Sequence, residues 1–329
     1  MTAIAATVQA FFTERLTAQR RASPHTIAAY RDTIRLLLAF ASQRARNSPC
    51  QLDFADLNAT VIGAFLDYIE RERGSSVRTR NARLAAIRSL FGYAALRHPE
   101  HAADIGRVLA IPPKRCDQTI VTYLTDDETE ALLAAPDRST RTGRRDHAWI
   151  LLAIQTGLRA SELTALTCHD VHLGTGPYLA CHGKGRKDRI TPLTPATVAT
   201  LKAWMTERAG QPGDPLFNTI RGGPMSSDAL QQRLALYAAK AARTCQTLAS
   251  KNLTPHVLRH TAAMRLLHAG VDITVIALWL GHANVTTTQI YLHADMALKQ
   301  QALDRTTPPP TKPGRYQPPD QLLAFLEAL

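Results

Sequence analysis

Six polar side chains, spread from position 159 to position 291 in four short stretches, could act together on a phosphate. In "TGLRASEL", Gly157 can close one helix and Ser161 can cap the next, which leaves Arg159 in the tight connection between them. A guanidinium fixed by two helices suits the binding of a charged transition state. The same position also fits a corner arginine paired with Glu162. In "HGKGRKDRITPL", Lys184 stands between Gly183 and Gly185 at a hairpin tip, flanked by Arg186 and Lys187. From there it could reach a phosphate and donate a proton, or it could simply be solvated.

The third stretch is "TPHVLRHTAAMRLL". Thr254 is a good N-cap and Pro255 suits the first helical position, so His256, Arg259 and His260 fall on one face of the first turns. A helix N-terminus with an arginine and imidazoles is an anion site. The fourth is "WLGHANVTTTQIYLHADM", where Gly281-His282 ends one helix and Tyr291 lies in the second turn of the next. Cys168, His169, His172, Cys181 and His182 are close enough to suggest zinc. Their spacing matches no standard ligand pattern, so no metal is expected.

The elements that must position these groups are mostly helical. The segment from Ser23 starts a helix with Pro24 at its first position and a stripe of Ile27, Tyr30, Ile34 and Leu37. Two more follow, one from about Val61 to Glu72 and one in "SVRTRNARLAAIRSLFGYA". In the last, Arg80, Arg83 and Arg88 lie off the apolar stripe, where they could meet a DNA backbone or simply form a solvated face. "RVLAIPPKRCDQTIV" breaks the pattern with Pro112 and Pro113 and reads as a linker carrying Lys114 and Arg115. Beyond it come an acidic-capped helix, an apolar helix ending at Gly157, and a Gly-punctuated alternating stretch that predicts a small antiparallel sheet. Helices resume from about Ser227. A Pro-rich spacer and the short apolar helix "DQLLAFLEAL" close the chain.

Composition narrows the partner. The 329 residues carry 39 basic and 27 acidic side chains, a formal charge of +12. Residues 1–115 hold 17 basic and 9 acidic groups, so eight of the twelve charges lie in that third, and all of its cations but Lys114 are arginine. Arginine excess of this kind favours nucleic-acid phosphates through bidentate contacts and counterion release. No run reaches the length of a membrane span and no signal-peptide layout opens the chain. Five scattered cysteines without a CxxC pair suit a reducing compartment, so a cytoplasmic location is expected.

Arginine at a helix junction, lysine on a hairpin, His-x-x-Arg, Gly-His and then tyrosine, in that order, resembles the tyrosine recombinase (phage integrase) family, with Xer-like compactness. The resemblance spans about Tyr123 to Leu303, and more loosely the N-terminal helices. Trp279 departs from the more usual Leu before Leu-Gly-His. The resemblance implies a mainly α fold with a small antiparallel β-sheet, arranged as a two-domain C-shaped DNA clamp. The expected parts are a helical core-binding (SAM-like) domain over 1–105, a linker over 106–122, a catalytic domain over 123–305 and a tail over 306–329.

It also implies roles. Tyr291 would attack the scissile phosphate to form a 3′-phosphotyrosyl link. Arg159 and Arg259 would clamp the non-bridging oxygens, and Lys184 would protonate the leaving 5′-oxygen. His256 would assist proton transfer at the tyrosine, His282 would hydrogen-bond the phosphate and Glu162 would orient the set. Arg78, Arg80, Arg83, Arg88, Lys114, Arg115, Arg186 and Lys187 are the DNA-binding candidates. The expected partners are double-stranded DNA with a specific core site and further copies of the chain, a dimer on one site and a tetramer in synapsis. The helix at 320–329 would dock on a neighbour or cap its own domain. No cofactor is implied. A free tyrosine has a pKa of about 10 and is a poor nucleophile at neutral pH, so two fixed arginines that favour the phenolate make chemical sense. The covalent link keeps the bond energy, so strands can be rejoined without ATP.

Two other readings share the sequence: a catalytically silent, sequence-specific DNA-binding accessory protein, and a topoisomerase-like enzyme. Integration, excision, transposition and dimer resolution all fit, and the Pro-rich extension leans towards a mobile element.

Overall fold

The computed structural model describes residues 2–116, 121–182, 188–282 and 284–294. The chain divides into two compact units, Met1–Gln118 and Thr119–Leu329. Each has its own apolar core among the described residues.

The first unit is helical. α1 (Ala3–Ala10) continues as a wide π-helical stretch, Phe11–Gln19, and is followed by α2 (Pro24–Ala45), α3 (Ala59–Arg71), α4 (Val77–Ala95) and α5 (Ala102–Ala110). Ser23, Asn58 and Ser76 each accept a backbone N–H in the first turn of the helix they precede, which fixes three of the starts. Ile62, Phe65, Leu66 and Ile69 of α3 and Leu84, Ile87 and Phe91 of α4 are fully buried, as their helical spacing requires. Residues 106–110, read from sequence as linker, are instead the end of α5, because Ile105 and Val108 are buried in this core.

The second unit begins with α6 (Asp126–Ala134), α7 (Arg141–Thr156) and α8 (Ala160–Ala165). β1 (Val171–His172), β2 (Tyr178–His182) and β3 (Asp188–Pro192) then form an antiparallel sheet in that order. In β2 and β3, Leu179 pairs with Thr191 and Cys181 with Arg189. α9 (Pro195–Arg208), α10 (Ser227–Ala241), α11 (Pro255–His268), α12 (Ile273–Leu280) and α13 (Gln289–Ala294) complete it. α9 replaces what the sequence left without helix before Ser227. Thr194 caps it and Pro195 takes its first position, a start signal masked by the strand-like alternation just before it.

α7 and α11 pack along each other at the centre of this unit. A fully buried carboxylate, Asp146, ties α7 to α10 by accepting from Arg145, Trp149, Arg233 and Tyr237. With four donors on one carboxylate the buried charge is fully satisfied. Among the described residues no helix is long and apolar enough to cross a membrane.

Candidate active site

Three arginines from three elements converge on the C-terminal end of α12. Trp279 O accepts from Arg189 Nε (3.1 Å), Leu280 O from Arg259 Nη2 (2.7 Å) and Gly281 O from Arg159 Nη2 (2.9 Å). The last carbonyls of a helix have no partner within it and carry the negative end of its dipole, so three guanidinium groups are held there by complementary charge. Gly281 makes the turn possible, with φ +65° in the left-handed region. A Cβ there would stand 2.9 Å from Arg189 Nη1, so the close approach also depends on glycine.

Arg159 is the N-cap residue of α8, a position the sequence reading gave to Ser161. The Glu162 side chain turns back to accept both Arg159 N (2.9 Å) and Arg159 Nη1 (2.7 Å). The same carboxylate accepts Arg189 Nη1 and Nη2 at 3.1 and 2.8 Å. Burial pushes the Glu162 carboxyl up, but the bonds from Arg189 and Arg159 prevail and hold it at about 2. Arg259, buried on α11, also donates from Nη1 to Gly157 O at 2.6 Å. Gly157 ends α7 at φ +66°, and a Cβ on it would come within 2.5 Å of Leu280 Cδ2. Burial and the neighbouring Arg159 lower the Arg259 pKa to about 10, which leaves it protonated at neutral pH.

Tyr291 lies in the first turn of α13, not the second, after a short 3-10 turn at Val285–Thr287. Its ring is buried at 1% exposure in an apolar cluster with Met264, Leu267, Ile276 and Leu280. Its hydroxyl meets His260 Nδ1 at 3.0 Å. Burial raises the phenol pKa, while Arg259 and Arg159 pull it the other way. The imidazole touching the tyrosine is thus His260. The sequence placed His260 on the right helix face but gave it no role. His256 is exposed, one turn away, with its ring stacked on His260 at 6.2 Å. His282 Nδ1 pairs with Thr288 Oγ1 at 2.7 Å. The structure therefore brings together Arg159, Glu162, Arg259, His260, His282 and Tyr291, and adds Arg189, which the sequence reading missed. Lys184, Arg186 and Lys187 lie outside the described residues, as do 320–329.

The N-terminal cations separate into two groups. Arg78 and Arg115 are exposed. Arg80 is 6% exposed and bonds to Asn81 and Pro112 O, while Arg88 donates twice to Leu109 O at the end of α5 (3.1 and 2.7 Å). Lys114 pairs with Glu70 at 2.8 Å, and Arg83 is half-buried. Arg80 and Arg88 thus hold the first unit together from within, contrary to the exposed face expected for them.

Two family models match. One described as the phage integrase family covers residues 122–297, more than half of the chain, and one described as the phage integrase N-terminal SAM-like domain covers residues 10–98. The chain belongs to the phage integrase family. Among curated relatives, a Sinorhizobium fredii protein described as an integrase/recombinase, y4rC, is 52% identical over 328 residues, 99% of this chain and 98% of that protein. The tyrosine recombinase XerC of Xanthomonas campestris pv. campestris is 32% identical over 299 residues, 90% of this chain and 87% of that protein. In fold it resembles the XerH recombinase bound to difH (23% identity, TM-score 0.64, 87% of this chain and 81% of that one). It also resembles the Tn1549 transposon integrase (19% identity, TM-score 0.67, 93% and 99%). This member of the family is a tyrosine recombinase, an enzyme of DNA strand breakage and rejoining.

The two site histidines should make this recombinase acid-sensitive. Burial, with His256 and Arg259, lowers His260 to about 4, and burial, with Arg259 and Arg159, lowers His282 to about 4. Both folded values lie below the ordinary 6.5, so the unfolded chain binds protons first and stability is lost as pH falls from 6.5 towards 4. Between pH 7 and 5 each group should cost about 2 kcal/mol, together lowering Tm on the order of 5–10 °C. Replacing both with glutamine should flatten that dependence. A wild-type Tm that does not change over this range would show that these imidazoles are not held neutral.

Proposed function

We propose that the chain is a site-specific DNA recombinase in which Tyr291 attacks the scissile phosphate and Arg159 and Arg259 clamp its non-bridging oxygens. What carries this reading is the fixing of both guanidinium groups on adjacent carbonyls, Gly281 and Leu280, at the end of the helix that leads to Tyr291. Guanidinium groups already oriented by protein carbonyls need little reorganisation when charge develops on the phosphate. The phenol proton leaves as the phosphorus–oxygen bond to Tyr291 forms, and the 5′-oxygen departs with a proton from Lys184. Rejoining reverses both transfers. His282 donates to the phosphate, and the phenol proton passes to His260, whose Nδ1 meets the Tyr291 hydroxyl at 3.0 Å, with His256 stacked on it from one turn away. Glu162 holds Arg159 in orientation.

The partner is double-stranded DNA with a specific core site, bound by a dimer and synapsed as a tetramer, with the apolar segment 320–329 as a self-association element. Arg78 and Arg115, exposed on the first unit, are its phosphate contacts of choice. A cytoplasmic location is consistent with a DNA substrate of this kind.

The test uses genomic DNA and the full chain. Covalent protein–DNA adducts trapped under denaturing conditions are sequenced to map the cut, and the adducted peptide is identified by mass. The expected result is one peptide carrying a nucleotide on Tyr291 and a defined core sequence. Specific binding without any adduct would favour the silent accessory protein. Relaxation of supercoiled DNA without sequence preference would favour the topoisomerase-like enzyme.

A further inference from the structure

Arg189 has no part in the chemistry described so far, yet it is the most heavily engaged of the three arginines. Its side chain is 10% exposed, and it sits on β3 opposite Cys181, on the inward face of the sheet. Its Nη1 and Nη2 close a two-point fork on Glu162, and its Nε reaches Trp279 O. Two groups that set the Arg159 guanidinium are thereby held from behind by Arg189. One is the carboxylate that accepts Arg159 Nη1, and the other is the helix end whose Gly281 carbonyl accepts Arg159 Nη2. Gly281 has room for Arg189 only because it lacks a Cβ.

Arg159 gives each Glu162 oxygen one bond, and the Arg189 fork gives each a second from a different element, so the carboxylate keeps its orientation even if Arg159 shifts. We propose that Arg189 is a positioning residue for strand cleavage: it locks Glu162 and the α12 terminus so that Arg159 meets the phosphate in one orientation, without touching DNA itself. This rests on the reading of Arg159 as a phosphate clamp. The competing route runs through the hairpin, since β3 begins at Asp188, just after the segment that carries Lys184. The two routes predict different chemistry.

The experiment measures first-turnover cleavage by the full-length chain on duplexes carrying the core site mapped as above. At the scissile position these carry a natural phosphodiester, a methylphosphonate, or a 5′-bridging phosphorothiolate. The methylphosphonate has no charge for an arginine to neutralise, and the thiolate leaving group needs no proton from an acid. Arg189→Gln and Arg189→Lys are compared with Arg159→Ala and Lys184→Ala, and melting and DNA affinity are recorded for each.

Arg189→Gln should cleave the phosphodiester about 100-fold more slowly, the scale of a small misplacement, with affinity within about three-fold of wild type. On the methylphosphonate the deficit should shrink below about ten-fold, as for Arg159→Ala, and on the phosphorothiolate it should persist. Arg189→Lys, which keeps the charge but not the fork, should fall between. A deficit relieved by the phosphorothiolate would overturn the proposal in favour of the hairpin route. An equal deficit on all three duplexes, no deficit, or loss of cooperative melting in both Arg189 variants would also overturn it. If Arg159→Ala itself is not relieved by the methylphosphonate, the clamp reading fails, and the role of Arg189 falls with it.

Discussion

Tyr291→Phe should abolish covalent adduct formation, a loss on the order of 10⁴-fold or more, while leaving specific DNA binding intact. The substitution is clean because of how the residue is held. The ring fills an apolar cluster with Met264, Leu267, Ile276 and Leu280, and phenylalanine fills the same space. Only the hydroxyl is lost, with its single bond to His260 Nδ1, at a cost of about 1 kcal/mol. Tyr291→Ala would be a poor substitute, since emptying a site with 1% exposure costs about 3–5 kcal/mol and confounds activity with stability. Adducts that persist at wild-type level in Tyr291→Phe, read on denaturing gels after incubation with a nicked duplex, would remove Tyr291 as the nucleophile.

Glu162→Ala should be the most damaging substitution to the fold of the site. It strips the shared carboxylate from Arg159 and Arg189 and leaves their charges facing each other and the buried Arg259. Removing one partner from a buried ion cluster typically costs about 3–5 kcal/mol. The pH route gives a similar figure. Glu162 is held at about 2 against an ordinary 4.5, so its stabilisation is present above 4.5 and is lost as pH falls towards 2, amounting to about 3 kcal/mol. The variant should therefore melt on the order of 10 °C lower. It should also cleave at least about 100-fold more slowly, because Arg159 loses its reference. A Glu162→Ala protein with wild-type Tm and cleavage would show that the carboxylate is not what organises the arginines.

Much of this was legible in the chain, and the gaps have physical causes. Local signals worked well. Gly157 stops α7 in the left-handed conformation, and Thr254 with Pro255 starts α11, so the placing of Arg159 and Arg259 followed from short-range chemistry. Contacts between distant segments were invisible. Arg189 lies 27 residues from Glu162 and 90 from Trp279, and no spacing rule spans such gaps. Its strand also reads backwards: Arg189 and Thr191 face inward, while Ile190 is 67% exposed, so an apolar-inward pattern assigns the wrong face. Arg80 and Arg88 misled for a related reason. Being off the apolar stripe of α4 does not make a side chain solvent-exposed when another segment supplies carbonyls to it, as Pro112 and Leu109 do.

The three carbonyls at the end of α12 also set when the enzyme can exist during its own synthesis. Arg159 and Arg189 leave the ribosome long before Trp279, Leu280 and Gly281 do, and their guanidinium groups have no helix terminus to settle on until then. The first unit can fold as it emerges. The cluster of three arginines cannot, because its anchor lies 90 residues beyond Arg189 and 122 beyond Arg159. A chain stalled before Gly281 thus has its basic N-terminal helices but no anchored arginine cluster.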